Sequence, residues 1–363
     1  MRTLKKLGAW IERNEHHLSA LVFLGGFVLD SLAFRRADLP LVNGLFVAYI
    51  VVAVLGISFS HFFLARRPDL AKKGRKSLPA LCTLAAQFCL GGLLSGCLIL
   101  YFRSAVLSAS WPFLILLALV FVANELMHSQ RERLAFQVGL FYLTLYAYAI
   151  FELPIVIGRM GGPIFILSGL TSLVASVALC VLLYAIARDR FLESAQWIAT
   201  AFIGIFLMLN FAYFTGVLPP LPLSLTEATI AHNIVHDGSN YDLTVEQGSN
   251  GLLSAFTATV IHYEPGTPLY AYSAVFAPVT ITTPIVHEWQ YHDPQKGWTT
   301  TSKVSFPIAG GRDGGYRGYS EALALQPGQW RVSIETSTGQ VIGRLNFNVV
   351  EAVSAPVLVT VQK

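Results

Sequence analysis

Apolar residues run in long unbroken stretches up to about residue 217 and alternate with polar ones after it. Seven stretches, at about 18–34, 41–64, 79–102, 105–127, 134–152, 164–187 and 195–217, are long enough to predict transmembrane helices. A bilayer core of ~30 Å takes about 20 residues at 1.5 Å rise. Beyond them the period drops to two. Tyr270, Tyr272, Ala274 and Phe276 share a face, as do Trp330, Val332 and Ile334, and Leu345, Phe347 and Val349. Such alternation between turn residues predicts half-buried antiparallel strands. We read about eight strands and no helix of any length, with Ser337-Thr338-Gly339-Gln340 turning the last hairpin.

The predicted fold is therefore an all-α membrane domain of about seven transmembrane helices, followed by an all-β domain of immunoglobulin-like sandwich type. The boundaries are 1–217 for the seven-span domain, 218–226 for a proline-rich joint and 227–363 for the β-sandwich. The joint carries Pro219, Pro220 and Pro222 and is expected to be extended, stiff and free of internal hydrogen bonds. All four cysteines (Cys82, Cys89, Cys97, Cys180) fall in spans. The tail, cut at about residue 224, is expected to fold alone without disulfides.

Charge orients the spans. One set of ends carries Arg2, Lys5, Lys6, Arg13, Arg66, Arg67, Lys72, Lys73, Arg75, Lys76, Arg131, Arg133, Arg188 and Arg190. The other carries Arg35, Arg36, Arg103 and Arg159. Lys and Arg accumulate on the cytoplasmic side, so the N-terminus is expected in the cytosol and the tail outside. The chain's net +4 hides a membrane half of +8 and a tail of −4. The basic excess fits topology, and nucleic acid is not an expected partner. Ser31-Leu32-Ala33 has the small-x-small form of a signal cleavage site, but Arg35 and Arg36 follow at once, so the first span is expected to stay.

Polar groups inside spans are few. Glu125 and His128 lie i, i+3 near the inner level that His61 also reaches. Imidazole and carboxylate can ligate a metal, yet a single Glu-x-x-His is a weak signal. Interfacial hydrogen bonding is the expected role, and no metal or other cofactor is expected. Gln137, Tyr142, Tyr146, Asn210 and Tyr213 either line a polar cavity or bond between helices. Gly92 and Gly96 form a GxxxG whose small face packs within the chain or at a dimer contact.

Several tail motifs occur together: Val275-Phe276-Ala277-Pro278, His287-Glu288-Trp289, the run Gly310-Gly311-Arg312-Asp313-Gly314-Gly315-Tyr316-Arg317-Gly318-Tyr319-Ser320, Gly328-Gln329-Trp330-Arg331-Val332 and Gly339 to Arg344. With the joint, they make about residues 205–350 resemble a bacterial family known as domain of unknown function 2914. The resemblance implies a multi-pass protein of the Gram-negative inner membrane with a periplasmic C-terminal domain. It brings no activity and no catalytic residues.

The best candidate site is the glycine-rich run. Arg312 and Arg317 offer planar forks for phosphate or carboxylate. Tyr316 and Tyr319 offer flat faces for a sugar, and the glycine amides a possible anion nest. The bland alternative is a structural loop with an Arg312–Asp313 ion pair. His287 and Trp289 share a strand face, and a core Trp beside a hydrogen-bonded His competes with a binding role. No catalytic constellation, phosphate loop or nucleotide fingerprint is present, so an enzyme is not expected. The expectation is an envelope protein that presents its periplasmic domain to an anionic or glycan ligand or to a protein partner, with the lipid bilayer around its spans. A transporter or lipid-handling protein with an accessory domain, and a sensor lacking its own output domain, are the alternatives.

Overall fold

The computed structural model describes residues 27–28, 30–32, 34, 39–67, 78–104, 107–126, 133–238, 240–246, 259–312, 314–352 and 356–363. Its helices are α1 (Pro40–Arg66), α2 (Leu78–Ser104), α3 (Leu107–Leu126), α4 (Leu134–Ile157), α5 (Gly162–Ile186) and α6 (Arg188–Phe214), with further helical residues at 27–28 and 30–32. All but α3 are long and apolar enough to cross a membrane, while the apolar stretch of α3 is the shorter Ser110–Asn124. The first predicted span falls largely outside the described residues. Phe88, Val174, Val181, Leu207 and Phe211 stay exposed along the helices. Apolar side chains in such number suit lipid surroundings. Multi-span membrane character thus rests on helix length and on what the helices expose.

The chain divides into two compact units. One comprises Met1–Phe102, Ile115–Ala149 and Leu170–Ile205; the other comprises Arg103–Leu114, Ile150–Gly169 and Phe206–Lys363. In the first unit, Gly92 lets the ring of Tyr49 approach α2, and Gly96 does the same for Phe46 and Phe34. The GxxxG face is thus filled from within the chain. Phe46 stacks on Tyr148 at 4.9 Å between centroids. Polar groups pair between helices: Ser60 with Thr83 at 2.7 Å and His61 Nε2 with Gln137 Oε1 at 3.0 Å.

The second unit holds eleven strands among the described residues, not about eight. They are β1 (Ser224–Ala231), β2 (Asn233–Asp237), β3 (Asn240–Glu246), β4 (Thr259–Tyr263), β5 (Leu269–Phe276), β6 (Thr282–Asp293), β7 (Gly297–Ala309), β8 (Tyr316–Ala322), β9 (Gly328–Thr336), β10 (Val341–Glu351) and β11 (Leu358–Gln362). A five-stranded sheet runs β4-β10-β9-β6-β7, one three-stranded sheet runs β1-β5-β8 and another β11-β3-β2. Every pairing is antiparallel except that of β4 with β10. Between the five-stranded sheet and β1-β5-β8 lie two apolar clusters, one around Trp289, Trp330 and Phe347 and one around Val275, Ile285 and Ile334. A third cluster, with Leu243, Val245, Tyr272 and Ala274, joins β11-β3-β2 to the other face of β1-β5-β8. The result is three layers of sheet.

The proline-rich joint differs from expectation. Its backbone turns on itself, Leu221 N donating to Pro219 O (2.9 Å) and Leu223 N to Pro220 O (3.0 Å). Leu218, Leu221 and Leu223 are buried, and Leu223 belongs to the cluster around Ile334. The three leucines flanking and interrupting the prolines gain more by burial than a stiff exposed spacer would. Met160 packs on the same cluster. Thr280 Oγ1 donates to the Ile155 carbonyl at 2.7 Å. Helix ends and β-domain therefore share one core within this unit. Leu218, Pro219, Met160, Phe165, Tyr213 and Gln340 line a cavity of about 20 Å³ there, room for about one water.

Candidate functional site

The glycine-rich run connects β7 to β8 and takes its shape from close contacts. At Gly310 a Cβ would collide with the Pro278 carbonyl, and at Gly318 with the ring of Phe306. The amides of Gly310, Gly311 and Gly315 donate to Ile281 O, Ala277 O and Arg312 O, each at 3.0 Å. Those three donors are thus engaged by the chain's own carbonyls, and the anion nest expected here loses them. The run's remaining candidates for anion binding are the guanidinium groups of Arg312 and Arg317.

Beside the run's Tyr319 stands a tyrosine that sequence reasoning did not select. Arg317 and Tyr319 lie two apart on β8 and share its outer face. Arg312 Cζ stands 5.8 Å from the Tyr316 ring centroid. Tyr319 is 42% exposed and meets Tyr241 at 6.3 Å and Tyr270 at 6.1 Å. Tyr241 stacks on His236 at 4.4 Å. Burial pushes the Tyr241 phenol above its ordinary range. Tyr316 and Tyr319 push it further, and Arg312 and Arg317 pull it back. Of the run's residues, Tyr319 meets Tyr241, which arrives from β3 in the third layer, while Tyr316 packs inward on the cluster around Ile334. Asp313 lies outside the described residues. The period-two pattern over 269–276 placed Tyr270 on a strand face, but Tyr241 sits some 70 residues from the run, a long-range pairing that no local signal carries.

His287 and Trp289 lie elsewhere. Both are fully buried between the sheets. Their face of β6 is covered, so neither lines the Arg/Tyr surface. His287 Nε2 bonds Ser273 Oγ at 2.8 Å and its Nδ1 bonds Ser320 Oγ at 2.9 Å. Trp289 Nε1 also donates to Ser320 Oγ, at 2.9 Å. Burial lowers the His287 pKa to about 4, so the ring is neutral near neutral pH. A Ser Oγ on a His nitrogen is the contact that nucleophilic catalysis uses, and the sequence had shown no serine partner. Here the serines are as buried as the ring, and the chain of hydrogen bonds reads as satisfied core polarity. A partial signal was present: Ser273 occupies an inward position of an otherwise apolar strand, whereas Ser320 stands in β8 between Tyr319 and Glu321.

Two further polar clusters emerge only from the pairing. On the outer face of the five-stranded sheet, Glu288 accepts from Thr300 Oγ1 and lies 3.2 Å from Lys303 Nζ. Its strand neighbour Glu335 has its pKa raised to about 7, by burial first and then by Glu288. Beside them Arg331 donates to Gln290 and covers the Trp298 ring at 4.2 Å. At the edge of the third layer, Glu246 is bracketed by His232 Nε2 and His262 Nδ1, both at 2.9 Å. Burial would raise the Glu246 pKa, but the hydrogen bonds from His262 and His232 outweigh it and hold the group low.

In the helical unit His61 is buried and bonds Gln137. The side chain of Glu125 and all of His128 lie outside the described residues. Asn210 Nδ2 donates to its own helix at Phe206 O (2.8 Å), and Tyr213 stacks on Phe165 at 3.9 Å. Among the described residues no three His, Cys, Asp or Glu side chains are grouped to hold a metal.

Residues 282–349, from β6 into β10, match a family model described as a protein of unknown function (DUF2914). The match is narrower than the 205–350 of the resemblance and leaves out the joint, Tyr241 and Tyr270. No curated protein matches the chain. Among solved structures, Pseudomonas fluorescens alkylpurine DNA glycosylase AlkC bound to DNA containing an abasic site analog is similar at 12% identity, over 85% of this chain and 99% of that one. The TM-score is 0.21, and at that value the likeness carries no argument.

Proposed function

We propose that the chain is an integral protein of the bacterial inner membrane whose seven spans hold an immunoglobulin-like β-sandwich with an added third layer on the periplasmic side, from about residue 218. The function is recognition of an anionic or glycan ligand, without catalysis, by Arg312, Arg317, Tyr319, Tyr241 and Tyr270. The observation that carries this reading is the meeting of the Tyr319, Tyr241 and Tyr270 rings on the face of β8 that also holds Arg317. Guanidinium forks suit phosphate or carboxylate, and tyrosine rings give broad contact with a polar rim. The asymmetry of basic residues supports the orientation. Transport finds less support, since Gln137 and Asn210, two of its expected lining residues, bond to the protein itself.

Two experiments test this. A reporter active only in the periplasm, fused after Lys363, is expected to be active; activity of a cytosolic reporter instead overturns the orientation. Calorimetry of the full chain in detergent with a panel of sugar phosphates and uronic acids is expected to find a binder. Arg312→Ala and Arg317→Ala should each weaken it about tenfold, the worth of one charged hydrogen bond, with unchanged melting. Equal affinity in both variants rejects the surface.

A further inference from the structure

The recognition surface begins at the end of a spanning helix. α4 ends at Ile157, and the carbonyl of Ile155 in its last turn accepts from Thr280. Gly158, at φ +73°, turns the chain directly beneath the Thr280 carbonyl. The residue before Thr280, Val279, is 73% exposed. Gly311 lies against Val279 and donates to Ala277 O. Arg312 follows and is exposed. Three contacts therefore link the last helical turn to Arg312. At the same level the helix end shows Val156 (71% exposed) and Ile157 to its surroundings, and exposed Arg159 follows. A helix that crosses a bilayer ends where the headgroups are. From there β8 runs away from the helix end, carrying Arg317 and Tyr319 about 3–10 Å beyond Tyr316 at ~3.3 Å per residue.

The surface is thus graded from apolar to cationic to aromatic with distance from the helix end. We propose that its ligand is borne by the membrane: a lipid whose headgroup carries a phosphate followed by a sugar or polyol. Val279 rests among the upper acyl and glycerol groups. Arg312, with Arg159 nearby, takes the phosphate. Arg317, Tyr319 and Tyr270 take the hydroxylated ring. This rests on the Arg/Tyr surface being the binding site and adds where the ligand comes from. A water-soluble glycan would make no use of an exposed valine at the foot of the site. A lipid gains from it, and its confinement to the bilayer also raises its effective concentration.

The test places the full chain in phosphatidylcholine nanodiscs. One arm adds phosphatidylinositol to about a tenth of the lipid, a fraction that leaves a several-fold enrichment measurable, and counts retained molecules by native mass spectrometry. The other titrates glycerophosphoinositol, the same headgroup without tails. We expect enrichment of phosphatidylinositol around the wild type and binding at least about tenfold weaker for the soluble headgroup. Val279→Asp should lower enrichment as much as Arg312→Ala does, and both variants should melt like the wild type. Equal binding of the two probes with Val279→Asp silent overturns the membrane origin and leaves the surface standing. Failure of both probes to bind, with Arg317→Ala equally silent, overturns the surface as well.

Discussion

Residues 287 and 288 are neighbours on β6 and open onto opposite faces of the five-stranded sheet. His287 points between the sheets into a chain of Ser273, Ser320 and Trp289. Glu288 points outward into a cluster with Thr300, Lys303 and Glu335. Both clusters are polar and both perturb a titration, yet they do so in opposite senses. The inner one desolvates a base and keeps it neutral. The outer one raises an acid's pKa, by burial first and then by the neighbouring Glu288, so that Glu335 keeps its proton to about pH 7. Burial is the larger cause at both sites, and the senses differ because desolvation favours the neutral form, which a base reaches by losing its proton and an acid by keeping it.

The sharpest way to break the contrast is at Ser320, whose one oxygen serves both His287 and Trp289. Ser320→Val should leave two buried groups unsatisfied and cost about 2–5 kcal/mol. Thr300→Val, which removes an outer-face donor, should cost about 1 kcal/mol or less. Thermal melting of the two variants of the full chain in detergent compares them. Equal losses would mean that the inner chain is as open to water as the outer one.

The second test is acid. His287 is held at about 4 against 6.5 when exposed. Between these values the unfolded chain binds a proton that the native one refuses. Stability therefore falls as pH drops from 6.5 towards 4 and levels off below, by up to about 3 kcal/mol. His287→Gln, uncharged at every pH, should flatten that part of the profile though it lowers stability at pH 7. An unchanged acid slope would locate the proton uptake elsewhere.

These contrasts also show what the sequence could carry. Long apolar runs are local, and five of them became helices of spanning length close to the predicted limits. Alternation is local too, and β5, β9 and β10 lie where it put them. The glycine-rich run was correctly singled out as unusual, although Gly310 and Gly318 serve the approach of Pro278 and Phe306 more than any ligand. What escaped was pairing. Tyr241 meets Tyr319 only because the third sheet folds over β5. Glu288 meets Glu335 only through the register of β6 with β9. The joint misled because proline content suggested a stiff spacer, while the intervening Leu218, Leu221 and Leu223 were core residues. Leu223→Ala should accordingly cost about 2–4 kcal/mol, and a tail starting at residue 224 should be less stable than one starting at 218 by a similar margin. Identical melting of the two tails would restore the spacer reading.

The smallest expected effect belongs to the outer face. Glu335 has its pKa raised from 4.5 to about 7, so in this range the native chain binds more proton than the unfolded one. Its contribution is fully present below pH 4.5 and is lost as pH rises through 7, the reverse of His287. The side chain is only half-buried, so solvent screening reduces the effect to about 1 kcal/mol. Glu335→Gln keeps the group neutral and able to donate to Glu288, as the protonated acid does. The variant should match the wild type at pH 4 and exceed its stability by that amount at pH 8. In the double variant with His287→Gln the two slopes between pH 4 and 7 should both vanish, because the groups face opposite sides of one sheet and share no partner. A gain for Glu335→Gln at pH 4 as well as pH 8 would mean that the two carboxylates do not share a proton, and that crowding alone, not titration, sets the strain on the outer face.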